Sequence, residues 1–288
     1  MIQFPASELA LNDQGQVYHL ALSPNDIADK IIVVGDPRRV ETVASFFDEI
    51  ELKVSHREFN TITGFYKGTR ISVVSTGIGT DNIDIVINEL DALVNIDLEK
   101  RSEKVQKRSL EIVRIGTCGL LQGNTPIHSF ILSEGAFGLD NVAHFYPIEF
   151  QQNEKAILSL FTHQIALPKA IVPYFSEANL ELVSRFNSNE VLRGYTVTSS
   201  GFYGPQGRSL RLGLVEKSLN EKLAAFDVNG LKILNFEMES SALFALGKAL
   251  GHKCTTLCVG VANRVDGTFS KGYELDLERL IMYVLNRI

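Results

Sequence analysis

A short, uncharged, β-branched run that breaks off at a glycine recurs along this chain. Ile31-Ile32-Val33-Val34 runs into Gly35-Asp36-Pro37, and Ile71-Ser72-Val73-Val74-Ser75 runs into Thr76-Gly77-Ile78-Gly79-Thr80. Ile112, Val113 and Ile115 run into Gly116-Thr117-Cys118-Gly119, with one arginine, Arg114, set among them. Such runs suit buried strands, and the glycines suit tight turns after them. An arginine near the end of a buried strand needs an anionic partner. Either a bound anion, helped by free loop N–H groups and the Thr117 hydroxyl, or a carboxylate of the chain itself meets that need.

Helical spacing follows several of these turns. Pro37 suits the first position of a helix carrying Val40, Val43, Ala44 and Phe47 on one face. Arg38 and Arg39 in its first turn oppose the helix dipole, a conflict that an anion at the helix start relieves. Asp81 or Asn82 is placed to cap a second helix with Ile83, Val86, Ile87, Leu90, Leu93 and Val94 on its buried face. Residues 63–68 fit a hairpin. Phe130-Ile131-Leu132, Ala170-Ile171-Val172, Tyr195 to Ser199, Leu231 to Leu234 and Thr255 to Val261 fit further strands. Glu177 to Phe186, a stretch ending at Gly251, and the C-terminal segment from Glu274 fit helices.

Strands and helices that alternate in this way predict an α/β fold around a central, largely parallel sheet, in three layers (α/β/α). At 288 residues one such domain is a common size. No repeat, low-complexity segment or linker divides the chain, so one domain over 1–288 is expected. Residues 1–16 form a peripheral N-terminal segment, and the densely charged stretch 97–110 is a solvated insertion, a helix extension or a loop. In such sheets the site lies beyond the carboxyl ends of the strands. The loops 35–39, 76–80, 114–119 and 199–208 belong there, joined by 235–240 and the end of the run 255–261.

Bulk properties narrow the function. A net charge of −6 and a pI near 5.6 disfavour nucleic acid as a partner, because a phosphate backbone calls for a basic surface. No run of 18 apolar residues occurs and no signal-peptide pattern opens the chain, so neither a membrane nor export is expected. Three cysteines, Cys118, Cys254 and Cys258, suggest a reducing compartment, by default the cytoplasm. Cys254 and Cys258 fit core positions. No finger-like spacing of zinc ligands is visible.

Several motifs together resemble a family. Gly35-Asp36-Pro37-Arg38-Arg39-Val40, Ser55-His56-Arg57-Glu58-Phe59, Ser75-Thr76-Gly77-Ile78-Gly79, Arg114-Ile115-Gly116-Thr117, Phe202 to Arg208 and Glu237-Met238-Glu239-Ser240 occur in the order found in nucleoside phosphorylases. The likeness is nearest to uridine phosphorylases and covers roughly residues 17–285. Each motif alone is weak, and in order they are strong. The resemblance implies that phosphate attacks the anomeric carbon of a nucleoside, giving ribose 1-phosphate and free base. It implies no cofactor and no catalytic metal. It places Gly35, Arg39, Arg114 and Thr117 on the phosphate. Arg57 joins them from a neighbouring subunit, as does His19 toward the ribose 5′-hydroxyl. Glu239 and Met238 fall on the ribose, and Phe202, Gln206, Arg208 and Gly119 on the base. Arg114, Arg208 and Glu239 are the catalytic group of that set. Shared sites imply self-association, as a dimer or as a hexamer built from three dimers.

The residue types suit these roles. Arginines neutralise and align a dianion. A carboxylate accepts from a pair of sugar hydroxyls. Glutamine matches an adjacent carbonyl and N–H, and arginine stabilises charge developing on the leaving base. The chain also departs from the family. Purine-cleaving relatives carry an aspartate where this chain reads Val261-Ala262-Asn263, which favours a pyrimidine. Asp81-Asn82 replaces the usual Pro-Ser, which puts in doubt the monovalent cation that bacterial uridine phosphorylases hold between subunits near positions matching Glu58 and Ile78. Cys118 stands where a threonine or serine is common, and faces either the sugar or the core. The alternatives are a purine phosphorylase or a nucleosidase of the same fold, or a nucleoside-binding or storage relative without activity.

Overall fold

A computed structural model describes residues 3–288. The β-branched runs form the middle of one large mixed sheet. Its main strands are β1 (Lys30–Val34), β2 (Glu49–His56), β3 (Phe59–Tyr66), β4 (Thr69–Ser75), β5 (Glu111–Leu120), β6 (Phe130–Gly138), β7 (Tyr174–Glu177), β8 (Val191–Thr198), β9 (Leu231–Glu237) and β10 (Lys253–Asn263). The order across the sheet is β9-β8-β6-β10-β5-β1-β4-β3-β2, with β7 beside β6. The centre is parallel: β4 with β1, β1 with β5, and β5 with β10. The far end of β5 also pairs antiparallel with β9, through Gly119 with Phe236 and Leu120 with Asn235. That pairing closes β5, β10, β6, β8 and β9 into a ring.

The helices are α1 (Pro37–Ala44), α2 (Thr80–Asn95), α3 (Gln152–Gln164), α4 (Leu180–Phe186), α5 (Leu219–Ala225), α6 (Ser240–Ala249) and α7 (Glu274–Leu285). The predicted faces hold. Val40, Val43 and Ala44 of α1 are buried, as are Ile83, Val86, Ile87, Leu90, Leu93 and Val94 of α2. Phe47 lies past the end of α1. The α/β architecture with a central sheet is therefore as expected. The main core fills the space around β1, β4 and β5. A second, aromatic core lies against α3 and α5, where Phe137 and Phe161 stack at 4.2 Å and Phe226 meets both edge-on. Among the described residues no helix is long and apolar enough to cross a membrane.

Several expectations are corrected. The Gly116 to Gly119 stretch is no turn: β5 runs straight through it to Leu120. A Cβ on Gly116 would collide with the Arg114 guanidinium, and one on Gly119 would lie 3.5 Å from Arg264. Gly116 thus makes room for Arg114, whereas the distance at Gly119 is an ordinary contact. Neither Asp81 nor Asn82 caps α2, which begins at Thr80 after Gly79 in a left-handed conformation, φ 100°. Asp81 sits in its first turn, where a negative charge suits the dipole. The strand expected at 170–172 lies at Tyr174–Glu177, beyond Pro173, which lacks an N–H to give to a ladder. Glu177 belongs to that strand. The helix after it starts at Leu180, capped by Asn179, whose side chain accepts from the Leu182 N–H at 3.1 Å.

The charged stretch is partly ordered. Ile96–Asp97 pairs with Ser102–Glu103, and an exposed loop follows. Arg101 donates to the carbonyls of Phe4, Pro5 and Leu9, so this hairpin ties down the N-terminal segment. In that segment Leu9 is buried, and so is Val17 just after it. Strand β2 and helices α3 and α5 had no clear signal in the sequence.

Candidate active site

One cavity of about 730 Å³ opens where the carboxyl ends of β1, β4, β5, β8, β9 and β10 converge. That volume lies in the range of small-molecule sites. Gly35, Arg39, Arg114, Thr117, Gly119, Phe202, Gln206, Arg208, Met238 and Glu239 all line it. His19 and Arg57 do not line it.

Arg114 projects from the middle of β5 and is buried. Its Nη1 lies 3.2 Å from Glu237 and 3.4 Å from the Cys258 Sγ, and its Nη2 pairs with Glu239. Burial opposes the charge on Arg114, but Glu239 and then Glu237 outweigh it and hold the guanidinium above its ordinary pKa. So the carboxylate partner that the sequence allowed for is present, on a side chain that also faces the cavity. Glu237 is the anchor that sequence reasoning missed. It accepts from the Thr198 hydroxyl at 2.5 Å and from the N–H groups of Glu239 and Ser240 at 3.0–3.1 Å. The only available signal was its spacing in Glu237-Met238-Glu239. Glu239 itself accepts from the Gly79 N–H at 2.8 Å, which locks the glycine turn after β4 onto the end of β9.

Arg39 lines the cavity near Arg114. Its nearest polar partner is the Ile115 carbonyl at 3.4 Å, and among the described residues no carboxylate is within ion-pair distance. Burial, and then the charge of Arg114, lower its pKa. Asp36 caps α1 by accepting from the Arg38 N–H at 2.9 Å, which offsets the unfavourable arginines of the first turn. A half-buried cation without a counter-charge beside a glycine loop is a place for an anion.

Near Gly119, the Arg208 guanidinium stacks over the Phe202 ring at 3.7 Å. It donates to the Phe202 carbonyl at 2.5 Å and to the Gln206 Oε1 at 2.7 Å. Burial, then repulsion from Arg264, push the Arg208 pKa down to about 10. The turn that carries them, Gly204–Gln206, ends at Gly207 with φ 69°. Asn263 does not face the cavity. Its amide donates to the carbonyls of Gln122 and Thr125 at 3.0 and 2.9 Å, and its Oδ1 accepts from the N–H groups of Val265 and Asp266. Cys118 borders the cavity yet packs in a small cluster with Leu120, Ile131 and Cys258. Burial and then the contact with Cys258 push its thiol pKa well up. Tyr273 and Phe269, also unforeseen, close the rim.

Among the described residues there is no cluster of metal-ligating side chains. Asn82 Nδ2 donates to the Ile78 carbonyl at 3.5 Å. His19 and Arg57 share one patch outside the cavity. Tyr18 joins them: its hydroxyl accepts from Arg57 at 3.2 Å, and its ring meets His19 edge-on at 5.0 Å. Arg57 holds a left-handed conformation, φ 56°, in the tight turn between β2 and β3.

This cavity joins an arginine without a counter-charge, a buried carboxylate and an aromatic ring stacked by an arginine, a lining suited to an enzyme that handles an anion and a small organic molecule together. Residues 29–281 match the model of the phosphorylase superfamily, and the chain belongs to that family. Uridine phosphorylases are among its relatives. The one from Thermococcus kodakarensis is 30% identical over 94% of this chain and 86% of its own length. The one from Haemophilus influenzae is 30% identical over 86% of each. The crystal structure of a Trypanosoma brucei nucleoside phosphorylase, described as showing uridine phosphorylase activity, superposes with a TM-score of 0.89. It is 32% identical, over 97% of this chain and 98% of that one.

Proposed function

We propose that this chain cleaves uridine with inorganic phosphate, giving uracil and ribose 1-phosphate. The observation that carries this is the set of groups gathered on one cavity: Arg39 beside Arg114, Arg114 paired with Glu239 next to Met238, and Arg208 joined to Gln206 and Phe202. Those three groups suit phosphate, ribose and pyrimidine. A phosphate held by Gly35, Arg39, Arg114 and Thr117 attacks the anomeric carbon as the bond to the base nitrogen breaks. Its electron pair passes into the ring, where Arg208 stabilises the charge on the carbonyl oxygens. Glu239 accepts from the ribose hydroxyls, and Gln206 reads the ring edge. The engagement of Asn263 inside the chain supports a pyrimidine, because no carboxylate stands there to protonate a purine.

The site is completed by a second copy of the chain, which supplies Arg57 to the phosphate and His19 to the 5′-hydroxyl. Their clustering through Tyr18, outside the lining of the chain's own cavity, supports a shared site in a dimer or a larger assembly of dimers. Three unpaired cysteines support a cytoplasmic setting. The test is a steady-state panel of uridine, deoxyuridine, thymidine and inosine with and without phosphate. Uracil release that vanishes without phosphate is the expected result. Rapid phosphate-dependent cleavage of inosine with none of uridine overturns the base assignment.

A further inference from the structure

One carboxylate outside the cavity is given over to a histidine and the backbone N–H of the residue after it. Glu89, on α2, accepts at Oε1 from the His19 backbone N–H at 2.9 Å and from its Nδ1 at 2.7 Å. Its Oε2 accepts from the N–H groups of Leu20 and His19 at 2.8 and 3.1 Å. The His19 carbonyl is held in turn by the Nδ1–H of His56 at 2.8 Å. The ring is set by edge contacts with Tyr18 and Phe59, at 5.0 and 6.3 Å between centroids. The backbone on both sides of His19 and the ring itself are therefore fixed, yet the side chain is 28% exposed. Among the described residues nothing bonds its Nε2.

A carboxylate can only accept, so Nδ1 must carry the ring hydrogen. In the neutral ring Nε2 is then a bare acceptor, fixed in direction by the partner of the other nitrogen. An anchor for the N-terminal segment needs only the two backbone donors, and the buried Leu20 beside them already fixes that segment. The contact to Nδ1 adds something a loop anchor does not require.

We infer that Glu89 is a positioning residue for the proposed nucleoside site: it sets the tautomer of His19 so that Nε2 accepts from the 5′-hydroxyl of a nucleoside in the neighbouring copy's cavity. This rests on the shared-site reading of the function. Glu89→Gln keeps an oxygen for the backbone donors. It can also turn its NH2 toward Nδ1, which reverses the tautomer and makes Nε2 a donor.

The experiment compares uridine, 5′-deoxyuridine and 5′-O-methyluridine in the wild-type enzyme, Glu89→Gln, His19→Ala and the double variant. In the wild type uridine should be favoured over 5′-deoxyuridine by about tenfold in kcat/KM, the value of one ordinary hydrogen bond. A hydroxyl can donate or accept, so uridine should keep its hydrogen bond in Glu89→Gln, whereas the 5′-methoxy oxygen can only accept. That oxygen should find no donor in the wild type and gain one from Nε2–H in Glu89→Gln, which should lower KM for 5′-O-methyluridine by a similar factor. His19→Ala and the double variant should show no such gain. Nitrogen-15 NMR of the ring should show hydrogen on Nδ1 in the wild type and on Nε2 in Glu89→Gln. No gain on 5′-O-methyluridine in Glu89→Gln, or equal losses on all three substrates, reduces Glu89 to a loop anchor and overturns the inference. A wild-type ring protonated at Nε2 overturns it as well, with or without activity. If no nucleoside is cleaved, the uridine reading fails and takes the 5′-hydroxyl with it, whereas the NMR still decides whether Glu89 sets the ring.

Discussion

Arg114 and Glu239 meet as a buried ion pair on the floor of the cavity, so the residues proposed for phosphate and for ribose are held by each other before either ligand arrives. Phosphate drawn toward Arg114 and hydroxyls drawn toward Glu239 therefore act on one shared contact. The space for it is left by Gly116.

Gly116→Ala should disable the enzyme more than it unfolds it. The added methyl group meets the Arg114 guanidinium, which must swing away from Glu239. Overpacking of this kind costs about 1–3 kcal/mol of stability. The loss of a positioned donor should lower kcat/KM by roughly a hundredfold or more. Thermal denaturation beside steady-state kinetics checks both. A variant with unchanged kcat/KM would show that Arg114 needs no such space.

Glu237→Gln addresses the other side of the same arginine. Glutamine retains an oxygen for the N–H groups at the start of α6 but gives up the charge opposite Arg114. Removing one partner of a buried pair typically costs about 3–5 kcal/mol, and Glu239 compensates for part of that here. Urea unfolding should show a lower midpoint with an unchanged slope. Equal stability would mean that Glu239 alone satisfies Arg114.

How much of this was legible in the chain differs from element to element. The runs ending at Val34, Ser75 and Ile115 announced the central strands because their periodicity is local. The order of motifs placed most of the cavity-lining residues because those at 35–40, 75–79 and 237–240 follow strands on one edge of the sheet, although Arg114 to Thr117 lie within β5. The role of Gly116 was not legible: a glycine cleared for a side chain two positions earlier looks the same as a glycine in a turn. Glu237 was hidden for a similar reason, since its partners, Arg114 and Thr198, lie on other strands. The engagement of Asn263 by Gln122 and Thr125 depends on a loop that only the fold brings near.

The acid limb of the pH profile should report Glu239. Burial lifts its carboxyl above the ordinary 4.5, against the pull of Arg114. Its ionised form is the one that accepts from hydroxyls, so kcat/KM should fall as pH drops through a value above 4.5. For stability the sign is reversed. A raised carboxyl favours the folded state at low pH, and that contribution is lost as pH rises through the folded value. An acid limb at or below 4.5, measured where the protein stays folded, would show that the ion pair outweighs burial.

Arg208→Lys should fail to rescue what Arg208→Ala loses. The planar guanidinium stacks on Phe202 and donates to two acceptors at once, which an ammonium does not reproduce. Both variants should slow uridine cleavage by about 2.7–4 kcal/mol of barrier, the usual cost of a lost charge-stabilising donor. Pre-steady-state measurement of uracil release separates this from slow product loss. A lysine variant at wild-type rate would remove the stack from the mechanism.

Asn263→Asp tests whether purine cleavage is one carboxylate away. The side chain is turned from the cavity and bonded at both ends: it gives two hydrogens to carbonyls and takes two from backbone N–H groups. An aspartate keeps the two acceptor contacts but sets an oxygen against the carbonyls of Gln122 and Thr125. Leaving such buried acceptors unpaired costs about 1–3 kcal/mol, and repulsion adds to it. The expected variant is less stable, still prefers uridine and gains no cleavage of inosine. Appearance of inosine cleavage would mean that the loop after β10 turns over easily, and that the choice of pyrimidine lies in this one side chain rather than in Gln206 and Arg208.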